Sequence, residues 1–290
     1  MEGLTHFSLN IAEVLIRVRS DAPDMDFAVK GALGRFLADG GKPDVEVRVD
    51  WDDLSKRKEG RRIFDSGALW QAYRDEEETL FRLTSPMLGA TPYMEARFGA
   101  DFTSGTIGAH RPYFDRRQSF YPLEYPLDEL LVTHYLSDGM GVEVHACGLV
   151  DPHGEGLLFV GPSGAGKTTM ARLWQNRPGV IVLSDDRIIL RKLDDRVWMY
   201  GTPWHGEAEH ASPEKAILTR LFFLTRGPAN ELVPQGKPDS VARLFGCSFL
   251  PFYDPSCIKG VLKVCDEIGR TTPCHELRFT PDGAVVEFLF

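Results

Sequence analysis

Residues 161–169 read Gly-Pro-Ser-Gly-Ala-Gly-Lys-Thr-Thr and run directly out of the apolar stretch Leu157-Leu158-Phe159-Val160. A G-x-x-x-x-G-K-T loop that leaves a strand and enters a helix wraps its backbone N–H groups around a di- or triphosphate. Its glycines permit the tight curvature, and the helix N-terminus adds positive dipole. Nucleotide binding is therefore the first chemistry expected, with Gly161, Pro162, Ser163, Gly164, Ala165, Gly166, Lys167, Thr168 and Thr169 around the phosphates. Lys167 is expected on the β- and γ-phosphate oxygens, and the Thr168 hydroxyl on the Mg²⁺ that bridges them.

Ser184-Asp185-Asp186-Arg187 follows a second apolar run, Val180 to Leu183. Phosphoryl transfer to a hydroxyl needs one carboxylate to hold Mg²⁺ and another to take the proton. Adjacent aspartates at a strand end can supply both, although Asp-Asp is also an ordinary turn pair. His145 lies on the strand expected beside the loop strand; by position alone a histidine there is more often a core residue than a catalyst. Gly201 to Glu207, Gly-Thr-Pro-Trp-His-Gly-Glu, follows another strand. It reads either as a tight turn with Trp204 plugging the core, or as a loop presenting acceptor-recognition groups, with Arg187, Trp204, His205 and Glu207 as candidates. Lys237 and Arg243 are not distinguishable from surface cations.

The elements that must position these groups are mostly strands. Around the loop, strands are expected at Val142–Val150, Leu157–Val160, Val180–Leu183, Ile188–Leu193, Val197–Gly201, Ile217–Leu224, Glu276–Phe279 and Val285–Phe290. Helices are expected at Lys167–Trp174, Asp239–Phe245 and Ile258–Glu267. That density of strands differs from the regular β-α-β alternation of doubly wound folds, and points away from small GTPases and nucleoside kinases. Upstream, Val45–Trp51 alternates as a half-buried strand. Leu69–Arg74 with Thr79–Thr84, and Tyr93–Phe98 with Phe102–Ile107, read as hairpins, and Phe27–Ala38 reads as a helix stopped at Gly40-Gly41. Gly108–Leu127, with Pro112, Pro122, Pro126, Arg111, Arg116 and Arg117, reads as the connector between domains at 1–122 and 123–290. The arginines read as a solvated connector or as a lid or dimer contact. Pro126 opens a helix whose apolar face is Leu127, Leu130, Leu131 and Tyr135, and Gly139 ends it.

The 290 residues carry a net charge of -9 with 43% hydrophobic residues, which argues against nucleic acid as the main partner. No apolar run approaches the roughly 20 residues a membrane helix needs, and no basic-then-apolar leader opens the chain, so no membrane is expected and the cytoplasm is the expected location. The 5 cysteines lack C-x-x-C spacing and read as reduced, mostly buried thiols rather than a disulfide framework or zinc site.

His145 to Thr169, then Ser184 to Arg187, then Gly201 to Glu207, in that order and spacing, resemble the catalytic domain of the HPr kinase/phosphorylase family, related in fold to phosphoenolpyruvate carboxykinase. The likeness is stronger to the short HPr-kinase-like serine and peptide kinases, and covers roughly residues 123–290. It implies an α/β (α+β) fold: a strand-rich P-loop kinase domain preceded by a smaller β-rich domain for substrate or partner docking. It also implies His145 as an active-site histidine, Asp185 as general base and Asp186 as metal-side ligand near His145, the two aspartate roles being exchangeable, and Lys167 as catalytic. The expected cofactors are ATP and Mg²⁺. The expected reaction is γ-phosphate transfer to a hydroxyl-bearing acceptor, a serine of a peptide or protein before free serine or another small metabolite, and self-association is implied too. This chain lacks the family's Arg-Gly-rich signature where it has Gly201–Glu207, which counts against HPr as acceptor. The competing expectations are a nucleotide-responsive binding protein that transfers no phosphate, and reverse transfer from a phosphorylated partner to phosphate.

Overall fold

Strand-forming sequence dominates both halves of the chain, and the computed structural model, which describes residues 4–56, 60–67 and 69–289, is a mixed α/β protein with two large sheets and few helices. Two compact units divide between Tyr135 and Leu136.

The first unit holds β1 (His6–Ile11), β2 (Val14–Arg19), β3 (Val45–Asp52), β4 (Arg61–Asp65), β5 (Trp70–Asp75), β6 (Glu78–Thr84), β7 (Pro92–Phe98) and β8 (Ser104–His110) in one 8-stranded sheet ordered β1-β2-β3-β8-β7-β6-β5-β4. The β5–β6 and β7–β8 hairpins lie where alternation and turn residues place them. The β1–β2 hairpin carried no such signal, because its turn residues Ala12 and Glu13 adopt φ of 53° and 60° without a glycine or asparagine.

The helix expected over Phe27–Ala38 does not form; only a 3-10 stretch, Gly31–Phe36, appears. Its flanking backbone is spent on strand edges instead. Phe27 bridges Leu4 and Phe120, Leu37 bridges Leu9, and Ala38 N–H donates to Ser8 O. After β8 come a single turn α1 (Arg111–Phe114) and α2 (Leu127–Leu136). Leu127 and Leu131 of α2 are buried, but so are Asp128, Glu129, Thr133 and His134, so the helix is not half-solvated as its apolar pattern suggested. His134 stacks on Phe102 at 4.4 Å and meets Phe81 edge-on, which ties α2 to the first unit and carries the division past the expected connector. In that connector Arg111 pairs with Asp24 and lies over Trp51, and Arg117 pairs with Glu124 and lies over Tyr113.

The second unit holds β9 (Val142–Val150), β10 (Gly156–Val160), β11 (Ile181–Ser184), β12 (Arg187–Leu193), β13 (Arg196–Gly201), β14 (Lys215–Arg226), β15 (Glu231–Pro234), β16 (Ser248–Phe249) and β17 (Cys274–Phe279), with α3 (Lys167–Trp174), α4 (Lys237–Gly246), α5 (Pro255–Thr271) and α6 (Ala284–Leu289). Two long strands serve two neighbourhoods each. Val142–His145 of β9 pair β12 whereas Ala146–Val150 pair β10; β14 pairs β13 through its first residues, and β10 and β17 through its last. The pairings β9–β12–β13–β14–β10–β9 thereby close on themselves.

β10 is buried on both faces. Leu157 and Phe159 pack with Met170, Ala171 and Trp174 of α3 and with α6, while Leu158 and Val160 pack with Leu244 of α4 and Val261, Val264 and Ile268 of α5. Such a strand reads as a continuous apolar run, as this one does. The closing strand expected at Val285–Phe290 is instead α6, with Phe290 outside the described residues. Asp282 Oδ1 accepts Ala284 N–H at its start, and Val285, Val286 and Leu289 fall on one buried face. Packing here overrides the β-propensity of Val-Val-Glu-Phe. Among the described residues no helix is long and apolar enough to cross a membrane. Cys147, Cys257, Cys265 and Cys274 are buried, and Cys247 is half-buried.

Candidate functional site

The loop begins where β10 ends. Gly161 N–H donates to His145 O on the neighbouring strand, and the chain curls through Gly164 (φ 82°) and Gly166 (φ 114°) into α3. A Cβ at Gly166 would stand 2.6 Å from Cζ of Phe279, so both the dihedral and the space call for glycine there. Lys167 is buried and folds back over the loop, Nζ donating to Gly161 O at 3.0 Å and Pro162 O at 3.1 Å. Burial pushes its pKa below the ordinary lysine value, and the charge of Asp186 opposes that shift. Pro162, Ser163 and Gly164 are exposed, and Ala165, Gly166, Thr168 and Thr169 half-buried.

β9 brings His145 to this loop. Residues two apart on a strand share a face, and Cys147 and Leu149 of that face pack in the core with α3, so His145 is the next position toward its N-terminus. The His145 backbone N–H donates to Cys247 O at 2.7 Å, and the next amide, Ala146, donates to Asp186 O at 3.0 Å. His145 Nε2 donates to the ionised Asp186 Oδ1 at 2.9 Å. Asp186 also hydrogen-bonds Arg187. Burial raises the Asp186 pKa, but the His145 bond and the charges of Arg187 and Lys167 outweigh it and hold the carboxyl below its ordinary value.

The two aspartates face different ways because of the turn that joins β11 to β12. Buried Ser184 Oγ accepts the N–H groups of both Asp186 and Arg187, pinning a tight reversal. Asp186 is left half-buried and Asp185 wholly buried. Asp185 Oδ1 accepts Gly206 N–H at 3.0 Å and Oδ2 accepts Ala208 N–H at 2.9 Å, so its carboxylate clamps the loop after β13. A Cβ at Gly206 would stand 2.7 Å from Asp185 Oδ2.

That loop is pinned a second time by buried Thr202, whose hydroxyl donates to Arg187 O at 2.8 Å. Trp204 is buried, and its Nε1 has no hydrogen-bond partner among the described residues. His205 and Glu207 are exposed. Of the candidate acceptor groups, then, His205 and Glu207 face solvent, Arg187 belongs to the Asp186 network, and Trp204 packs inside. Lys237 pairs with Asp266, and Arg243 pairs with Glu276 and lies over Phe223; both serve the packing of α4.

Sequence reasoning passed over Glu143 and Phe249, and gave Ser184 and Thr202 no role of their own within their motifs. Glu143 lies two residues before His145 on β9, so strand alternation puts it on the same face. Its side chain is fully buried, with Oε1 3.6 Å from Arg187 Nε. Phe249 lies 4.6 Å beneath the Arg187 guanidinium and 5.7 Å from His145. Nothing local marked it.

The donors present suit a nucleotide with Mg²⁺. The loop supplies glycine-bounded amides and a buried lysine, and Thr168 and Asp186 supply hard oxygens. No group of three or more His, Cys, Asp or Glu side chains among the described residues could hold a metal unaided. Mg²⁺ is a metal that protein sites hold through one or two oxygens together with substrate phosphates and water.

No family model matches the chain, and no curated protein matches it in sequence. A solved structure, that of the Hpr(Ser) kinase/phosphatase from Coxiella burnetii, is similar over 51% of this chain and 89% of its own, at 12% identity and a TM-score of 0.27. A likeness so slight carries no argument.

Proposed function

We propose that this protein is an ATP- and Mg²⁺-dependent phosphotransferase acting on a hydroxyl, a serine of a peptide or protein being the leading acceptor class. The observation that carries this reading is the arrangement around Asp186. An ionised, half-buried carboxylate, bonded to His145, lies within electrostatic reach of the lysine of a phosphate loop. A simple nucleotide-binding module has no need of that histidine–carboxylate pair beside the loop. The motif order that resembles HPr-kinase-like enzymes points the same way.

In this reading the loop amides and Lys167 hold the phosphates and neutralise charge that grows on the transferred group. Thr168 and Asp186 would hold Mg²⁺, which when bound offsets the phosphate charge. His145 keeps the Asp186 carboxylate oriented. We assign Asp186 the face toward metal and acceptor hydroxyl alike, because a base must offer a lone pair within reach of the proton, and Asp185 is wholly buried with both oxygens turned to backbone N–H groups, whereas Asp186 is half-buried. Asp185 in this reading is the residue that holds the Gly201–Ala208 loop, and of the two aspartates whose roles the resemblance left exchangeable Asp186 takes the base. His205 and Glu207 on that loop are the groups an acceptor would meet.

The test is mass spectrometry of hydroxyl-bearing peptides and free serine after incubation with Mg²⁺ and ATP, with Lys167→Ala as blank. A phosphorylated product that appears only with active protein, with ATP consumed in step with acceptor, is the expected result. Nucleotide that binds and shifts affinity for a peptide, yet leaves every acceptor unmodified, would establish a binding protein instead.

A further inference from the structure

Arg187 stands between two carboxylates of unlike accessibility. It hydrogen-bonds Asp186 in the half-buried site, and its Nε lies 3.6 Å from Oε1 of the fully buried Glu143. Its guanidinium lies over Phe249. On the paired strands β9 and β12, Arg187 is directly opposite His145, so the imidazole, the guanidinium and both carboxylates form one patch.

A guanidinium does not lose its proton in a protein. If Asp186 is to hold a divalent cation, the positive charge already bound to it must weaken that metal or move away. Glu143 offers it a destination. A buried carboxylate is strongly disfavoured without a cation beside it, and the planar fork of arginine lets different nitrogens serve the two acids.

We propose that Arg187 is a resident counter-ion of Asp186, which a nucleotide-bound divalent cation displaces toward Glu143, so that the Glu143–Arg187 pair sets the strength of metal binding. This rests on the reading of Asp186 as a metal-side ligand. Removing the cation frees Asp186, whereas removing Glu143 takes away an anion that holds the cation off Asp186. The two substitutions therefore move metal affinity in opposite directions, whereas an ion pair outside the reach of the metal would move it in neither; the double variant, which removes both charges at once, tests for the freed Asp186.

Mn²⁺ binding in the presence of saturating ADP, followed by the electron paramagnetic resonance of free Mn²⁺, reads this without turnover. Arg187→Gln is expected to tighten Mn²⁺ binding about tenfold and Glu143→Gln to weaken it by about the same factor. ADP affinity without metal is expected to change little in either. Should Arg187→Gln fail to fold, the double variant E143Q/R187Q removes both charges, and it should bind Mn²⁺ more tightly than wild type. Shifts of the same sign in the two single variants, or a double variant no tighter than wild type, would overturn the proposal. Asp186→Asn separates the two levels. If wild type binds Mn²⁺ with ADP and Asp186→Asn does not, the metal-side reading stands whatever the Arg187 result; if Asp186→Asn binds as wild type does, both fall.

Discussion

Lys167 carries a positive charge that its surroundings only partly welcome: it is buried, donates to two loop carbonyls and has its pKa lowered by burial. A bound phosphate would place an anion beside it. Between the lowered folded value and the ordinary 10.5, the unfolded chain binds more protons than the folded one, so the lysine's contribution to stability rises with pH. ATP affinity should fall over that same range as the charge is lost. Urea denaturation of wild type and Lys167→Met, from neutral pH to 10.5, should show wild type gaining on the variant as pH rises, while calorimetry shows ATP binding decline. A pH-independent difference in stability would remove the burial argument. At this scale the grouping was partly legible: Lys167 and the aspartate pair stood out by motif, His145 only through the family resemblance, and the fold brings His145 to Asp186 near Lys167. Which aspartate faces outward was not legible, because Ser184 Oγ decides it by holding two consecutive amides.

Elements show where local preference and packing part company. The Lys167–Trp174 helix forms over the expected residues because a glycine-bounded loop, an apolar face and a core position all agree. Val285–Leu289 is helical against its β-propensity because α6 can set Val285, Val286 and Leu289 against the face of the sheet that α3 covers. Phe279, at the end of β17, links that core to the phosphate loop through its contact with Gly166. Gly166→Ala, with φ 114° and a 2.6 Å clash, should cost a backbone penalty like that at Gly164 and about 1–3 kcal/mol more for the clash with Phe279. Gly164→Ala, with φ 82° and open space, should cost only the left-handed penalty of about 1–2 kcal/mol. Urea midpoints measure both. Equal losses would mean that the Phe279 contact is not what demands glycine at 166.

For the whole molecule, the residues of the site all lie in the second compact unit, and the first unit contributes none of those described above. Mg²⁺ with ATP should therefore protect backbone amides in hydrogen exchange at Gly161–Trp174, Ser184–Arg187 and Gly201–Ala208. The sheet of the first unit should be unchanged. At a nucleotide concentration of 100 Kd the stabilisation available is about 2.7 kcal/mol, visible as a raised melting transition. Protection spread equally over β1 to β8 would contradict confinement of the site to one unit.

What this chain's sequence determined by itself was the glycine-bounded loop at Gly161–Thr169, the strand-rich character on both sides of it, and the order in which His145, Lys167 and the aspartates occur. Those are local facts, set by glycine spacing, a continuous apolar run and residue type. Tertiary structure alone decided that Asp185 clamps the Gly206–Ala208 amides while Asp186 meets His145, that Glu143 and Phe249 flank Arg187, and that Trp204 packs inward. Each of those contacts joins strands far apart in the chain, and their pairing and register decide which side chains meet.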